Sequence, residues 1–172
     1  MIERLRTYPS DEKTLRTPTA RVERLTPAIR KFAAELVAWM REYDGAGLAA
    51  NQVEQSGETI PSPSLFVMAV EEDEALVLIN PEILSTEGSE EHEEGCLSFG
   101  TVVWKLAAPT VARVRFTTVE GLVREEVFRD FLARCAVHEV DHLGGKLMID
   151  RMARWERRVF LKKVSSAQSD RR

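Results

Sequence analysis

The amino-acid sequence predicts an α+β fold in a single domain. The chain has 172 residues, which is about the length of one domain. Apolar residues recur at helical spacing near both ends and alternate at strand spacing in between. A helix followed by strands and then by a second helix is typical of α+β proteins rather than of alternating α/β proteins.

The first long helix is predicted to begin at Thr26-Pro27. A threonine side chain can cap free amide groups, and proline suits the first helical position. Apolar residues follow at spacings of three and four: Ile29, Phe32, Ala33, Leu36, Val37 and Met40. We expect this helix to end at Asp44-Gly45, and the chain before Leu25 to be irregular and rich in turns.

The middle of the chain is predicted to form strands. The runs with strand-like composition are residues 65–70, 76–79, 111–117 and 123–128. Asn80-Pro81 and Glu120-Gly121 are turn signals between them. Residues 53–64 are expected to form a surface loop, and the acidic run 87–94 a solvated loop or strand edge.

The C-terminal third is predicted to be helical. A helix should begin near Phe131 and end at Gly144-Gly145, where glycine can adopt the left-handed cap. A further amphipathic segment is expected over about residues 152–164, and the basic clusters at residues 151–158 and 162–163 are expected on a solvated helix face. We expect one domain over residues 1–165 and a disordered tail over residues 166–172.

Composition excludes several classes of function. The net charge of −4 argues against nonspecific binding to nucleic acid or to an anionic membrane. Two cysteines are too few for a disulfide framework, which favours a reducing compartment. The first nine residues lack the apolar core of a signal peptide, and no apolar stretch is long enough to cross a bilayer. We therefore expect a soluble, cytoplasmic protein.

The strongest chemical signal is His138-Glu139-Val140-Asp141-His142. Histidines four residues apart lie on one face of a helix, so both imidazoles can reach one metal ion. Glu139 is placed to act as a general base toward a water at that metal. The alternative is a pair of exposed histidines on a polar face, but the apolar residues around the motif favour a buried helix.

Two histidines leave a tetrahedral metal site without its third protein ligand. The acidic residues downstream, Asp150, Glu156 and Asp170, have no convincing spacing. Upstream, Glu94-Gly95-Cys96-Leu97-Ser98 offers Cys96, whose thiolate is a good soft ligand. A single cysteine is more often a small buried apolar residue, and only the incomplete histidine pair favours ligation here.

A third motif is Gly45-Ala46-Gly47-Leu48-Ala49-Ala50-Asn51-Gln52. Its glycines allow a ligand to approach the backbone, and Gln52 could donate a hydrogen bond to a developing oxyanion. A glycine-rich helix cap explains the motif equally well when it is taken alone.

Together the three motifs resemble those of the peptide deformylase family, which carries G-x-G-L-A-A-x-Q, E-G-C-L-S and H-E-x-D-H in this order. The resemblance covers roughly residues 5–165. It implies an N-terminal helix and small mixed or antiparallel sheets wrapped around a central, C-terminal helix that bears the histidines. We also expect a monomer.

The resemblance assigns roles to individual residues. Cys96, His138 and His142 would bind one divalent metal ion, Fe²⁺ in the cell, with Zn²⁺, Ni²⁺ or Co²⁺ as substitutes. Glu139 would take a proton from water and pass it to the leaving amine. The substrate would be the N-formyl group of a formyl-methionyl peptide, and formate would be released. A transient contact of the C-terminal helix with the ribosome is a family-based expectation only.

Further residues would surround the substrate. Gln52 and the backbone N–H of Leu97 would stabilise the oxyanion, and the backbone at Ala46 and Gly47 would pair with an extended peptide. Glu94 would support the metal ligands, paired with Arg113 or another cation.

The chain also departs from the family pattern. The departures are Gly100, Ala108, Val137 and Arg134. Arg134, like His92 and Phe131, falls in the region of the substrate pocket. It could extend to solvent or pair with a carboxylate such as Glu93, or it could change the pocket toward a polar or acidic side chain. We expect hydrolysis of formyl-methionyl peptides to be about 10–100-fold slower than in typical members.

Three other functions remain open from the sequence. The first is a divergent deformylase that acts on a different N-formyl amide. The second is a zincin-type endoprotease, which the missing downstream ligand disfavours. The third is a metal-binding protein without catalytic activity, which the intact Gln52 and Glu139 disfavour.

Overall fold

The computed structural model of this chain describes residues 1–57, 61–70 and 74–169. The helices are α1 (Glu12–Leu15), α2 (Pro27–Glu42), α3 (Asp130–Leu143) and α4 (Arg154–Ser169). The strands are β1 (Ile2–Leu5), β2 (Gly47–Ala49), β3 (Val53–Gln55), β4 (Leu65–Ala69), β5 (Ala75–Glu87), β6 (Glu90–Glu94), β7 (Trp104–Ala108), β8 (Val111–Thr117) and β9 (Val123–Arg129). The predicted α+β class is confirmed.

The pairings among the nine strands named above are antiparallel. Five strands form the main sheet in the order β2-β4-β5-β8-β9, while β1 pairs with β3 and β6 pairs with β7. Helix α3 packs against all five strands of the main sheet. The sheets therefore surround the helix that carries both histidines.

Strand β4 shows why the sequence there is uniformly apolar. Phe66 and Met68 pack into the cluster shared with α3, whereas Leu65 and Val67 pack into the cluster shared with α2. A strand that is covered on both faces cannot alternate between apolar and polar residues. Strand β4 thus fixes α2 and α3 on opposite sides of one sheet.

Helix α2 begins as predicted. Thr26 is the N-cap, and its hydroxyl accepts a hydrogen bond from the amide of Ile29 at 3.3 Å. The helix ends at Glu42, and Asp44 adopts a φ of 51° at the following turn. Leu36 and Met40 are fully buried on its inner face.

The expected turn at Asn80-Pro81 is wrong. Strand β5 continues through both residues, and its pairing with β8 shifts register between Ile79 and Glu82. The φ of Asn80 is 49°, and its side chain accepts from the amide of Val22 at 2.8 Å and donates to the Val22 carbonyl at 2.9 Å. The turn-forming residues here make a bulge that anchors the N-terminal segment.

Three expectations for irregular structure also need correction. The N-terminal segment forms β1 and α1, and β1 pairs with β3 inside the expected 53–64 loop, where Val53 is fully buried. The tail that was expected to be disordered is part of α4 through Ser169. Its Gln168 Nε2 donates a hydrogen bond to the carbonyl of Tyr8 at 2.9 Å, which holds this end of the helix against the N-terminal segment. Residues 58–60 and 170–172 lie outside the described residues.

The helices described here include none with the length and apolar content that a bilayer crossing requires.

Candidate metal centre

Helix α3 carries both histidines of the motif. His138 and His142 lie one turn apart on one face, and both are buried. The helix ends at Leu143, and Gly145 follows with a φ of 74°. A Cβ on Gly145 would lie 2.4 Å from the carbonyl oxygen of Arg16, so only glycine allows the chain to turn here.

Three donor atoms from two distant segments converge at this helix. The Sγ of Cys96 lies 3.2 Å from Nε2 of His142, which lies 3.1 Å from Nε2 of His138. The ligand atoms of the three residues lie within 4.8 Å of one another, and all three side chains are buried. Lone pairs of sulfur and nitrogen directed at one point in an apolar interior favour a bound cation, and one thiolate with two imidazoles suits Zn²⁺, Fe²⁺, Co²⁺ or Ni²⁺.

A carboxylate orients one of these ligands from behind. Oε1 of Glu94 lies 2.6 Å from Nδ1 of His138, and Arg151 donates to the same oxygen. Nδ1 must therefore carry the proton, which leaves the lone pair of Nε2 free to bind a metal. Burial raises the pKa of Glu94, but His138 and Arg151 outweigh it, so the net pKa lies below the ordinary value.

Of the two alternatives for the partner of Glu94, Arg113 or another cation, the structure shows the second. Arg113 is exposed on β8, whereas Arg151 reaches Glu94 from the short turn Met148–Arg151 after α3. Arg151 was expected on a solvated helix face, and instead it is partly buried and ion-paired. Its side chain also reaches the carbonyl of Ala107 at 3.5 Å.

The two histidines differ in their affinity for protons. Burial lowers the pKa of His138, but its hydrogen bonds to Cys96 and Glu94 raise it well above the ordinary value. Burial lowers the pKa of His142, and repulsion from His138 and Arg151 lowers it further. The centre therefore holds His142 as a neutral imidazole, the form that binds metals.

Glu139 lies beside the donor group, in the wall of the same cavity. Its Oε2 is buried and has no hydrogen-bond partner among the residues that the structure describes. Burial raises the pKa of Glu139 to about 7, partly offset by the charge of His138. A carboxyl group with this pKa can both accept and release a proton near neutrality.

Gln52 is held in one orientation. Its Oε1 accepts from the amide of Ala49 at 2.8 Å, so its Nε2 faces Ser98 Oγ at 3.2 Å and Cys96 Sγ at 3.6 Å. The amide donor therefore lies next to the donor group. Leu97 follows Cys96 and lines the cavity as well.

The cavity beside this group has a volume of about 290 Å³. Its lining includes the expected residues Ala46, Gly47, His92, Phe131 and Arg134. The guanidinium of Arg134 lies 5.7 Å from the centre of the Phe131 ring. Within residues 1–57, 61–70 and 74–169 Arg134 forms no ion pair, so the pairing with a carboxylate such as Glu93, one of the alternatives for this residue, is absent from the structure.

Two further residues at the centre were not predicted from the sequence. Arg151 is one. Asn51 is the other, and its Nδ2 donates to the backbone carbonyls of His142 at 2.6 Å and Leu15 at 3.3 Å. Asn51 thereby ties the end of α3 to the N-terminal segment. An asparagine inside a glycine-rich motif is typical of a turn. Its role in linking α3 to the N-terminal segment becomes apparent only from the contacts in the structure.

Known proteins share this sequence and this fold. A model of the polypeptide deformylase family matches residues 2–158. The peptide deformylase of Bradyrhizobium diazoefficiens is 35% identical over 171 aligned residues, which cover 91% of each chain. That of Bradyrhizobium sp. strain BTAi1 is 38% identical over 161 residues, again with 91% of each chain covered.

Solved structures agree with these relatives. A peptide deformylase from Legionella pneumophila superimposes with a TM-score of 0.88 at 27% identity and covers 99% of this chain and 98% of its own. A peptide deformylase from Synechococcus elongatus in complex with actinonin gives 0.83 at 34% identity, with 93% and 86% covered. With family match, relatives and fold in agreement, this chain belongs to the polypeptide deformylase family and is a deformylase-type hydrolase.

Proposed function

We propose that this chain hydrolyses the N-formyl group of formyl peptides, with formyl-methionyl peptides as the reference substrate, and releases formate. The observation that carries the proposal is the convergence of Cys96, His138 and His142 beside Glu139 in one cavity. These three residues would hold one divalent metal, and Fe²⁺ is the proposed ion in the cell. Bound there, the ion would acidify a water molecule and polarise the formyl oxygen.

Glu139 is the proposed acid–base group. Its free Oε2 would accept the proton of the attacking water and pass it to the nitrogen of the leaving amine. The carboxylate lies on the same helical turn as His138, so its position relative to the metal ligands is fixed by α3. Both proton transfers then occur without movement of the backbone.

Gln52 and Leu97 are the proposed oxyanion donors. The Ala49 amide fixes the oxygen of Gln52, so its N–H groups are oriented before substrate arrives. The backbone N–H of Leu97 would supply a second hydrogen bond. Preorganised donors of this kind stabilise the charge that develops on the formyl oxygen rather than the ground state.

The peptide backbone of the substrate would extend along β2. This strand lies at one edge of the main sheet, and Gly47 at its start lines the cavity. An edge strand can accept an extended peptide as one more strand. A formyl carbon carries only hydrogen, so a narrow pocket at Gly47 and Glu139 would admit a formyl group and exclude an acetyl group. We also propose that the protein acts in the cytoplasm as a monomer.

A formate-release assay on anaerobically purified, metal-analysed protein tests this proposal. The wild type is expected to release formate from formyl-Met-Ala-Ser, and Glu139→Gln is expected to lower kcat by about 10²–10⁴-fold. The matched control is Glu125→Gln, since Glu125 is exposed and pairs with Arg115 on the far side of the sheet. Metal-loaded wild type without formate release, or formate release that survives Glu139→Gln, would refute the proposal.

A further inference from the structure

A single guanidinium lies in the wall of the cavity beside the metal-binding group. Arg134 is one helical turn before His138 and two turns before His142, so its side chain leaves α3 on the same ridge. It is the one arginine or lysine that lines this cavity in the described part of the chain. On the basis of the proposed deformylation, we propose that Arg134 selects N-formyl substrates that carry a carboxylate on the formylated residue.

The guanidinium of Arg134 has no anionic partner among the described residues. It lies over the face of the Phe131 ring, and no described carboxylate forms an ion pair with it. Of the nearby acids, Glu94 is engaged by His138 and Arg151, while Asp44 and Glu93 are exposed at the rim. Arg134 is therefore free to bind an anion that enters the cavity.

The spacing between Arg134 and His138 fits the length of an acidic formylated residue. One turn of helix separates the Cα atoms of Arg134 and His138 by about 6 Å along the axis. In a formyl-glutamyl or formyl-aspartyl group, a few single bonds separate the formyl carbon from the side-chain carboxylate, which gives a comparable span. A substrate with its formyl group at the centre would thus place that carboxylate near Arg134.

The charge of Arg134 also makes it costly to place an apolar substrate side chain in this pocket. An apolar side chain in this pocket would displace water from Arg134 and give no hydrogen bond in return. A carboxylate would replace that water with charge-assisted bonds, and a guanidinium can make two in parallel. His92 does not change this balance, because its ring nitrogen already lies 3.1 Å from Glu90. Discrimination would come as much from the penalty on apolar groups as from the new ion pair.

The carboxylate could come from two sources. It could be the side chain of an acidic first residue in a formyl peptide, or the α-carboxylate of a free formyl amino acid. Formate release is therefore measured on the amidated peptides formyl-Xaa-Ala-Ser, with Xaa as Glu, Gln or Met, and on formyl-methionine as the acid and as the amide. Wild type, Arg134→Met, Arg134→Lys and the exposed control Arg115→Met are compared.

In wild type we expect kcat/KM for the Glu peptide to exceed that for the Gln peptide by about tenfold or more, as befits a charge-assisted contact. Arg134→Met should bring the Glu/Gln ratio to about one and raise the relative rate on the Met peptide. Arg134→Lys should retain part of the Glu/Gln ratio, and Arg115→Met should leave this ratio unchanged. Added NaCl should reduce the wild-type ratio. Thermal unfolding of each variant shows whether the fold is intact.

The outcomes separate this inference from the proposed function. A preference for the acid form of formyl-methionine that depends on Arg134, without a Glu preference, supports the inference and assigns the α-carboxylate. If neither ratio responds to Arg134 while formate is released, the selectivity is refuted and deformylation stands. If no substrate releases formate, deformylation itself is refuted and the selectivity with it.

Discussion

Gly47 lies so close to Glu139 that no side chain fits between them. A Cβ on Gly47 would be 2.6 Å from Oε1 of Glu139 and 2.8 Å from Sγ of Cys135. Both neighbours are buried on α3, so neither can move away freely. The edge strand β2 and the helix α3 are thus packed in direct contact at the proposed acid–base group.

This contact predicts a large effect of one methyl group. Gly47→Ala should lower kcat/KM for formate release by about 10²-fold, because it displaces the Glu139 carboxylate by a fraction of an ångström to an ångström. The metal content should be retained, since the change does not touch the three ligands. Gly144→Ala is the matched glycine control, because Gly144 has an ordinary φ of −83° and a Cβ there would lie no closer than 3.5 Å to the carbonyl oxygen of Asp141. Full activity of Gly47→Ala would show that Glu139 is not held in place by this contact.

The Arg151–Glu94–His138 chain predicts how tightly the metal is held. Arg151→Met should speed metal loss to a chelator by about 10–100-fold, since groups that orient a ligand contribute that much to metal affinity. Glu94→Gln should act in the same direction. Arg158→Met is the control, because Arg158 is exposed on α4. The readout is the half-life of bound metal, and equal half-lives for Arg151→Met and wild type would contradict the assignment.

Asp150 predicts an acid-sensitive contribution to stability. Burial raises its pKa, but hydrogen bonds from Arg16 at 2.9 and 3.1 Å and from the Leu147 amide at 2.9 Å outweigh this, and the net pKa is lowered. A carboxyl group whose pKa is lower in the folded state stabilises the protein above its unfolded pKa, which is about 3.9. This contribution is lost as the pH falls through the lower, folded pKa.

We therefore expect Asp150→Asn to reduce the free energy of unfolding at pH 7 by about 1 kcal/mol, given that the pair is partly exposed. The difference from wild type should shrink as the pH falls below about 4. Urea unfolding between pH 3 and pH 7 measures it, with the exposed Glu91→Gln as control. A difference that stays constant over this range would mean that the Asp150 charge contributes nothing.

Capping signals and the periodicity of apolar residues were sufficient to predict the helices and strands that bury one face in the core. The start of α2 at Thr26-Pro27 and strand β8 over residues 111–117 follow from capping and alternation, and the structure confirms both. The short strands β1 and β3 were not predicted, because each is only three or four residues long and gains its stability from the other. The turn predicted at Asn80-Pro81 was wrong because the same residue types occur in turns and in bulges.

The donor group was predictable to the extent that chemistry restricts residue type. Few side chains bind transition metals, so His138, His142 and Cys96 stood out from their spacing and from the resemblance. Arg151 was not predictable, because an arginine in a basic run gives no sign of which carboxylate it will meet. Long side chains of this kind are placed by tertiary packing rather than by local pattern.

The coordination of the metal itself tests the central claim most directly. X-ray absorption on the zinc-loaded protein should show one sulfur at about 2.3 Å and nitrogen or oxygen ligands at about 2.0–2.1 Å. Cys96→Ser should remove the sulfur, whereas Cys135→Ser should leave it in place. A wild-type spectrum with no sulfur neighbour, or one whose sulfur persists in Cys96→Ser, would contradict a centre built from Cys96, His138 and His142.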